Sequence, residues 1–124
     1  MTQARQRRGI EARSSGRRAE VWAVVWLMLR GYRILGFRLK TPQAEIDILA
    51  QKSGILAVVE VKRRTSLERA LEAVTPDQRQ RLMRAATTLA ARRPSLAGLS
   101  VRLDLMAMAP GRWPQHVENA WPAG

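Results

Sequence analysis

Apolar residues fill most positions from 17 to 30, densest from Val21 to Leu29, and Gly31 follows as a helix stop. This predicts a first helix, largely buried against a sheet. From Tyr32 to Lys40 apolar and polar residues mix as Tyr-Arg-Ile-Leu-Gly-Phe-Arg-Leu-Lys, predicting a strand with one exposed face that Thr41 and Pro42 close. Ala44 to Ala50 and Ile55 to Lys62 are rich in Ile, Val and Leu, and the polar Gln51-Lys52-Ser53-Gly54 separates them, so together they predict a hairpin. Leu67 to Val74 predicts a helical turn or two. Thr75-Pro76-Asp77-Gln78 then starts a longer helix, with Thr75 as N-cap, Pro76 at the first helical position and Gln78 as capping-box partner. Leu82, Ala86, Leu89 and Ala90 give that helix its apolar stripe to about Arg93, and Pro94 and Gly98 bound its end. Leu99 to Met108 alternates as a fourth strand, and the chain from Pro110, with three prolines and two tryptophans, is expected to be coil packed on or trailing the domain.

The element order α-β-β-β-α-β predicts an α/β fold with a mixed four-stranded sheet flanked by helices. The first three strands form an antiparallel meander, and a right-handed helical crossover makes the third and fourth parallel. A chain of 124 residues has room for one domain, placed at 17–109, with a basic flexible arm over 1–16 and the tail over 110–124. The arm's Arg-rich, acid-poor composition also fits an organelle transit peptide. The nine-residue run from Val21 to Leu29 is under half the roughly 20 residues a membrane span requires, and no small-residue cleavage site follows it. No membrane partner and a cytoplasmic location are therefore expected. The absence of cysteine excludes a disulfide framework, a thiolate zinc site and a cysteine nucleophile.

Charge changes the picture. Twenty-two Lys and Arg against 10 Asp and Glu leave a formal +12, a field that polyanions answer. Nucleic acid, an anionic membrane face and an acidic protein are the candidates, with nucleic acid the commonest for a small basic domain. Lysine is scarce among these cations, occurring only at Lys40, Lys52 and Lys62.

With Ser53 and Gly54 at the centre of a tight turn, hairpin partners have numbers summing to 107. Asp47 then faces Glu60 and Glu45 faces Lys62, all on one side of the ribbon, while Ile46, Ile48, Val59 and Val61 point to the other. Carboxylates about 4 Å apart repel by about 4 kcal/mol at an effective dielectric near 20. Lys62 offsets part of this and a divalent cation can offset more. The plainer account is a Glu45–Lys62 ion pair on an exposed face, with Asp47 and Glu60 solvated. Glu-x-Lys alone is weak, since Glu11-Ala-Arg13 matches nearly as well. The paired strand with Asp47, the spacing to Glu60 and a rare lysine at the right parity are more specific together.

That combination resembles the PD-(D/E)xK nuclease superfamily, whose core is a helix, a strand with Asp, a strand with Glu-x-Lys and a crossover helix. More of the chain, roughly Gly16 to Trp121, resembles the YraN-like family of small bacterial proteins similar to Holliday-junction resolvases. The residues carrying this are Ala19-Glu20, Gly31-Tyr32, Glu45-Ile46-Asp47-Ile48-Leu49-Ala50, Val59-Glu60-Val61-Lys62-Arg63-Arg64, Glu72-Ala73-Val74-Thr75-Pro76, Arg102-Leu103-Asp104 and His116 with Asn119-Ala120. Ala44, Arg38, Lys40 and Gln78 depart from the usual pattern.

The resemblance implies a restriction-endonuclease-like core and metal-dependent hydrolysis of DNA phosphodiester bonds, on branched or single-stranded substrates. Asp47, Glu60 and Glu20 would bind Mg²⁺, with Mn²⁺ as a substitute, and Lys62 would act with them as a catalytic group. Glu20 shares a helix stripe with Ala23 and Leu27, aimed at the sheet, although an acid in a first helical turn also suits the helix dipole. Arg63, Arg64, Arg79, Arg81 and Arg84 would neutralise phosphates, the last three having a solvated helix face as the alternative. A homodimer would serve symmetric cutting of two strands. A nuclease-like module that binds nucleic acid without turnover is the second reading, and a scaffold for an acidic protein the third. His116, the one histidine, is expected to make a structural hydrogen bond; Trp22 and Trp26 to pack in a core or interface; Trp113 and Trp121 to anchor the tail, with stacking on bases as the alternative; and Asp104 to form a surface ion pair, with an approach to the site from the fourth strand as the alternative.

Overall fold

The computed structural model describes residues 17–122. The arm expected over 1–16 lies outside them. Residues 17–29 form helix α1, which ends in a Schellman turn: Tyr32 N–H donates to Leu27 O and Gly31 N–H to Met28 O, each at 3.0 Å, with Gly31 at φ +89°. Strands β1 (Arg33–Lys40), β2 (Glu45–Lys52) and β3 (Ile55–Arg63) follow, then helices α2 (Leu67–Glu72) and α3 (Pro76–Arg92), a 3₁₀ turn at Pro94–Leu96, and strands β4 (Ser100–Met108) and β5 (Gln115–Val117). Two of the three predicted α3 start signals operate, with Pro76 at the first position and Thr75 Oγ1 accepting from Gln78 N–H at 3.2 Å.

The sheet runs β1-β2-β3-β4-β5, antiparallel except for the parallel β3–β4 pair. The mixed sheet is as expected, with one strand more: Gln115–Val117, read as coil, pairs with Leu105 to Ala107 at the outer edge. Three residues directly after Pro114 carry too little pattern to announce a strand.

Two cores lie on opposite faces. Leu82, Ala85 and Ala86 of α3 pack with Leu49, Leu56, Val58 and Leu103, while Ala23 and Leu27 of α1 pack with Ile48, Ala50, Ala57, Val59 and Met106. Burial of α1 is narrower than expected, because Val21, Trp22, Val25, Met28 and Leu29 are exposed, Trp22 at 59%. Only the Ala19-Ala23-Leu27 stripe is inside.

The hairpin register is the predicted one: Lys52↔Ile55 to Ile48↔Val59 all sum to 107, around Ser53 and Gly54 at φ +49° and +77°. Both signs suit a primed two-residue turn. Parity fails at one position. Ile46, expected beside Ile48, packs with its β1 partner Leu39 in the α3-side core. The β2–β3 pairing stops at Ile48↔Val59, so the far end of β2 follows β1 rather than β3.

Candidate active site

The parting of β2 from β3 is what forms the site. Beyond Ile48, a side chain takes over from the backbone: Val61 N–H donates to Asp47 Oδ2 at 2.9 Å. Asp47 and Glu60 thus come to one cleft of about 320 Å³, shared with Ala44, Glu45, Lys62 and, from α3, Gln78 and Arg81. Lys62 Nζ stands 3.8 Å from Glu60 Oε2, so its ion pair is with Glu60 and not with Glu45 as strand parity suggested. The opening of the ladder moves Glu45 to the rim, where it is exposed.

Glu60 is only 2% exposed, and its Oε1 is buried without a hydrogen-bond partner among the described residues. Burial first, and then the Asp47 charge, push its carboxyl up to about 8, against the smaller opposing pull of Lys62. Asp47 is also raised, again chiefly by burial, with the Val61 amide and Lys62 acting the other way. Two carboxyls so placed hold a proton near neutrality unless a cation replaces it.

Glu20 comes near enough for its charge to raise Asp47 further, but its own carboxylate is bound by Arg38 Nε. Arg38 reaches it from a left-handed position, φ +51°, that no sequence signal marked. Among the described residues no three His, Cys, Asp or Glu side chains gather as a metal cage, so Asp47 and Glu60 form a pair with Glu20 alongside.

The basic residues divide. Arg81 lines the carboxylate cleft and pairs with Asp77 at 3.0 Å, an exposed i,i+4 contact of small energetic weight. Arg79 and Arg84 line a separate cavity at the edge of β4. Arg63 sits on the α1 side beside Arg18 and Pro110, and Arg64 is exposed at the end of β3. Gln78, read from the sequence as a capping partner and as a departure from the family pattern, lines the cleft, next to the Thr75 cap.

Asp104 corrects another expectation. It is fully buried on the α1 side of the sheet, accepting from Arg102 Nε at 2.7 Å and Asn119 N–H at 3.0 Å, with His116 Nε2 at 2.9 Å. Burial pushes its carboxyl up, yet His116, Arg102 and the Asn119 amide outweigh that and hold it below the usual range. His116 makes the structural bond expected of it. Trp121 anchors the tail by donating from Nε1 to Leu71 O at 3.2 Å, whereas Trp113 is 79% exposed near Trp26.

A helix, an antiparallel meander, a helix and a parallel fourth strand, with a carboxylate pair and a lysine where the hairpin parts, define an α/β protein with a nuclease-like core. Residues 19–108 match the family described as "Uncharacterised protein family UPF0102". A UPF0102 protein of Caulobacter sp. (strain K31) is 66% identical over 118 residues, covering 95% of this chain and 85% of that protein. Another, of Caulobacter vibrioides (strain NA1000 / CB15N), is 66% identical over 117 residues and 94% of each chain. A third, of Parvibaculum lavamentivorans (strain DS-1 / DSM 13023 / NCIMB 13966), is 47% identical over 113 residues, 91% of this chain and 85% of its own. The chain belongs to the UPF0102 family, to which the YraN-like resemblance pointed. Among the described residues no helix is long and apolar enough to cross a membrane.

Proposed function

We propose that this protein is a cytoplasmic, metal-dependent endonuclease that hydrolyses DNA phosphodiester bonds, on branched or single-stranded DNA. One observation carries the reading: in a chain of net charge +12, Glu60 is buried beside Asp47 with Oε1 lacking a partner among the described residues, at a cleft bordered by Lys62 and Arg81. Buried polar atoms are normally satisfied, and an exception calls for an occupant. The donors are hard oxygens, and Mg²⁺ uses one or two carboxylates with waters and phosphate oxygens, so Asp47 and Glu60 fit Mg²⁺, with Mn²⁺ as a substitute. Glu20 is a third carboxylate once Arg38 releases it.

When bound, such a cation supplies Lewis-acid polarisation and a lowered water pKa. The chain's own groups do the rest. Lys62, tied to Glu60, holds its ammonium where charge develops on the phosphoryl group, and Asp47, fixed by the Val61 amide, keeps its carboxylate turned into the cleft. Arg81 offers a phosphate contact at the cleft wall.

The test is incubation with linear, single-stranded and four-way-junction DNA, with Mg²⁺, with Mn²⁺ and with EDTA. Cleavage that requires the metal and is lost in Asp47→Ala and Lys62→Ala supports the reading. Cleavage surviving in those variants removes the site. Salt-sensitive binding of all substrates without cleavage supports a binding module that does not turn over.

A further inference from the structure

We propose that the cavity between α3 and the outer edge of β4 binds one unpaired nucleotide, its base in the cavity and its phosphate at Arg84. The proposal rests on the nucleic-acid reading above and concerns a different place on the molecule. The cavity holds about 400 Å³, within the range of small-ligand sites and too small for a folded partner. Met83 and Leu103 make it apolar and Trp121 gives it an aromatic wall, while Arg79 and Arg84 supply charge.

Among the described residues these two arginines have no anion of their own: neither is in an ion pair, Arg79 Nε is buried without a partner, and its guanidinium lies 5.4 Å from the Trp121 ring centroid. An apolar, aromatic-walled cavity with unpaired guanidinium groups suits a planar ring joined to an anion. Duplex DNA presents its bases stacked and paired, so an unpaired nucleotide is the form that can enter.

The edge of β4 adds hydrogen-bonding capacity. β5 covers only Leu105 to Ala107, and Leu103 O faces outward to accept from Ala120 N–H at 3.2 Å. By strand alternation the amide and carbonyl of Val101 face the same way, toward the cavity, where no strand pairs with them. A base edge is a matching donor–acceptor pattern. The path to the carboxylates is short: Gln78 and Arg81 of α3 line the carboxylate cleft, and Met83 and Arg84, on the adjoining stripe, line this cavity. A strand crossing the first turns of α3 therefore meets both.

The test is calorimetric titration of the full chain, in EDTA, with deoxyadenosine monophosphate, inorganic phosphate and deoxyadenosine. Saturable binding of the monophosphate, at least about 10-fold tighter than phosphate or the nucleoside, is expected. Arg84→Glu should weaken it by at least about 10-fold, and Arg92→Glu, the same charge change at the exposed far end of α3, by less than about 2-fold. Phosphate binding as tightly as the monophosphate, or equal losses in the two variants, overturns the proposal. Single-stranded and duplex forms of one oligonucleotide separate a strand from a free nucleotide: Arg84→Glu should cost the single strand more, and equal losses overturn the strand assignment. Because no arm uses cleavage, a chain that binds in this way but cuts nothing overturns the nuclease reading alone.

Discussion

Glu60→Gln should make the metal-free protein more stable at alkaline pH. The glutamate carboxyl is held at about 8, against an ordinary value of 4.5, because burial and Asp47 disfavour its charge. The folded state therefore binds this proton more tightly than the unfolded chain does. That contribution to stability is complete below about pH 4.5 and disappears as pH rises through about 8. The full difference is worth at most about 5 kcal/mol, and the open cleft and relaxation of the pair bring the expected loss to a few kcal/mol. Asp47, raised for the same reason, acts in the same direction.

Glutamine keeps the shape, stays neutral and offers Asp47 an amide donor, so the variant lacks the Glu60 part of the descent. Urea unfolding in EDTA from pH 5 to pH 9 measures this. Wild type should lose stability across the range, the variant should lose less, and the curves should diverge upward. A wild-type profile flat over that range, or a variant no more stable at pH 9, refutes the reasoning. Added Mg²⁺ should restore the wild type at pH 8, by about 2.7 kcal/mol at 100 times its dissociation constant, and restore Glu60→Gln less.

Asp104→Ala should lose about 3–5 kcal/mol in the same assay, since Arg102, His116 and the Asn119 amide all lose one buried acceptor. In wild type the Asp104 contribution is present above its ordinary 3.8 and should vanish only as pH falls through its lowered folded value. Thr75→Ala removes the α3 cap that receives Gln78 N–H and should cost about 1 kcal/mol by thermal melting. DNA affinity should fall linearly with the logarithm of salt concentration, and Arg81→Gln should reduce the slope by about 1 in fluorescence anisotropy titrations; an unchanged slope removes Arg81 from the phosphate contacts.

What the sequence discloses and what it hides divide along physical lines. Local rules held where one short segment decides the outcome: Ser53-Gly54 sets the register that brings Asp47 and Glu60 to one side, and Thr75-Pro76 sets the start of α3. They failed where the outcome depends on distant segments. Parity counting carries the β2–β3 ladder past Ile48, and nothing local signals that Asp47 will accept the Val61 amide while Ile46 turns to the α3 core. The burial of Asp104 depends on His116 and Asn119, which reach it only because a three-residue β5 folds the tail back. An apolar run does not disclose how much of its surface the sheet covers, and so the exposure of Trp22 and Leu29 was invisible.

The two buried acidic centres also differ in how they are satisfied, although burial pushes both upward. Asp104 is surrounded by donors in number, a guanidinium, an imidazole and a backbone amide, and its carboxyl is lowered despite full burial. Asp47 accepts from the Val61 amide, Glu60 has a lysine at 3.8 Å, and both are raised. A fold selected for stability alone would treat the second centre like the first, by adding donors or by replacing Glu60 with an apolar residue beside Leu105, its neighbour on β4. An under-satisfied carboxylate pair in a chain carrying 22 basic residues is a local conflict that the rest of the molecule could have resolved. On the proposed reading, a cation from solvent would resolve it without altering the chain, and the excess of arginine would serve the polyanion entering the cleft with that cation.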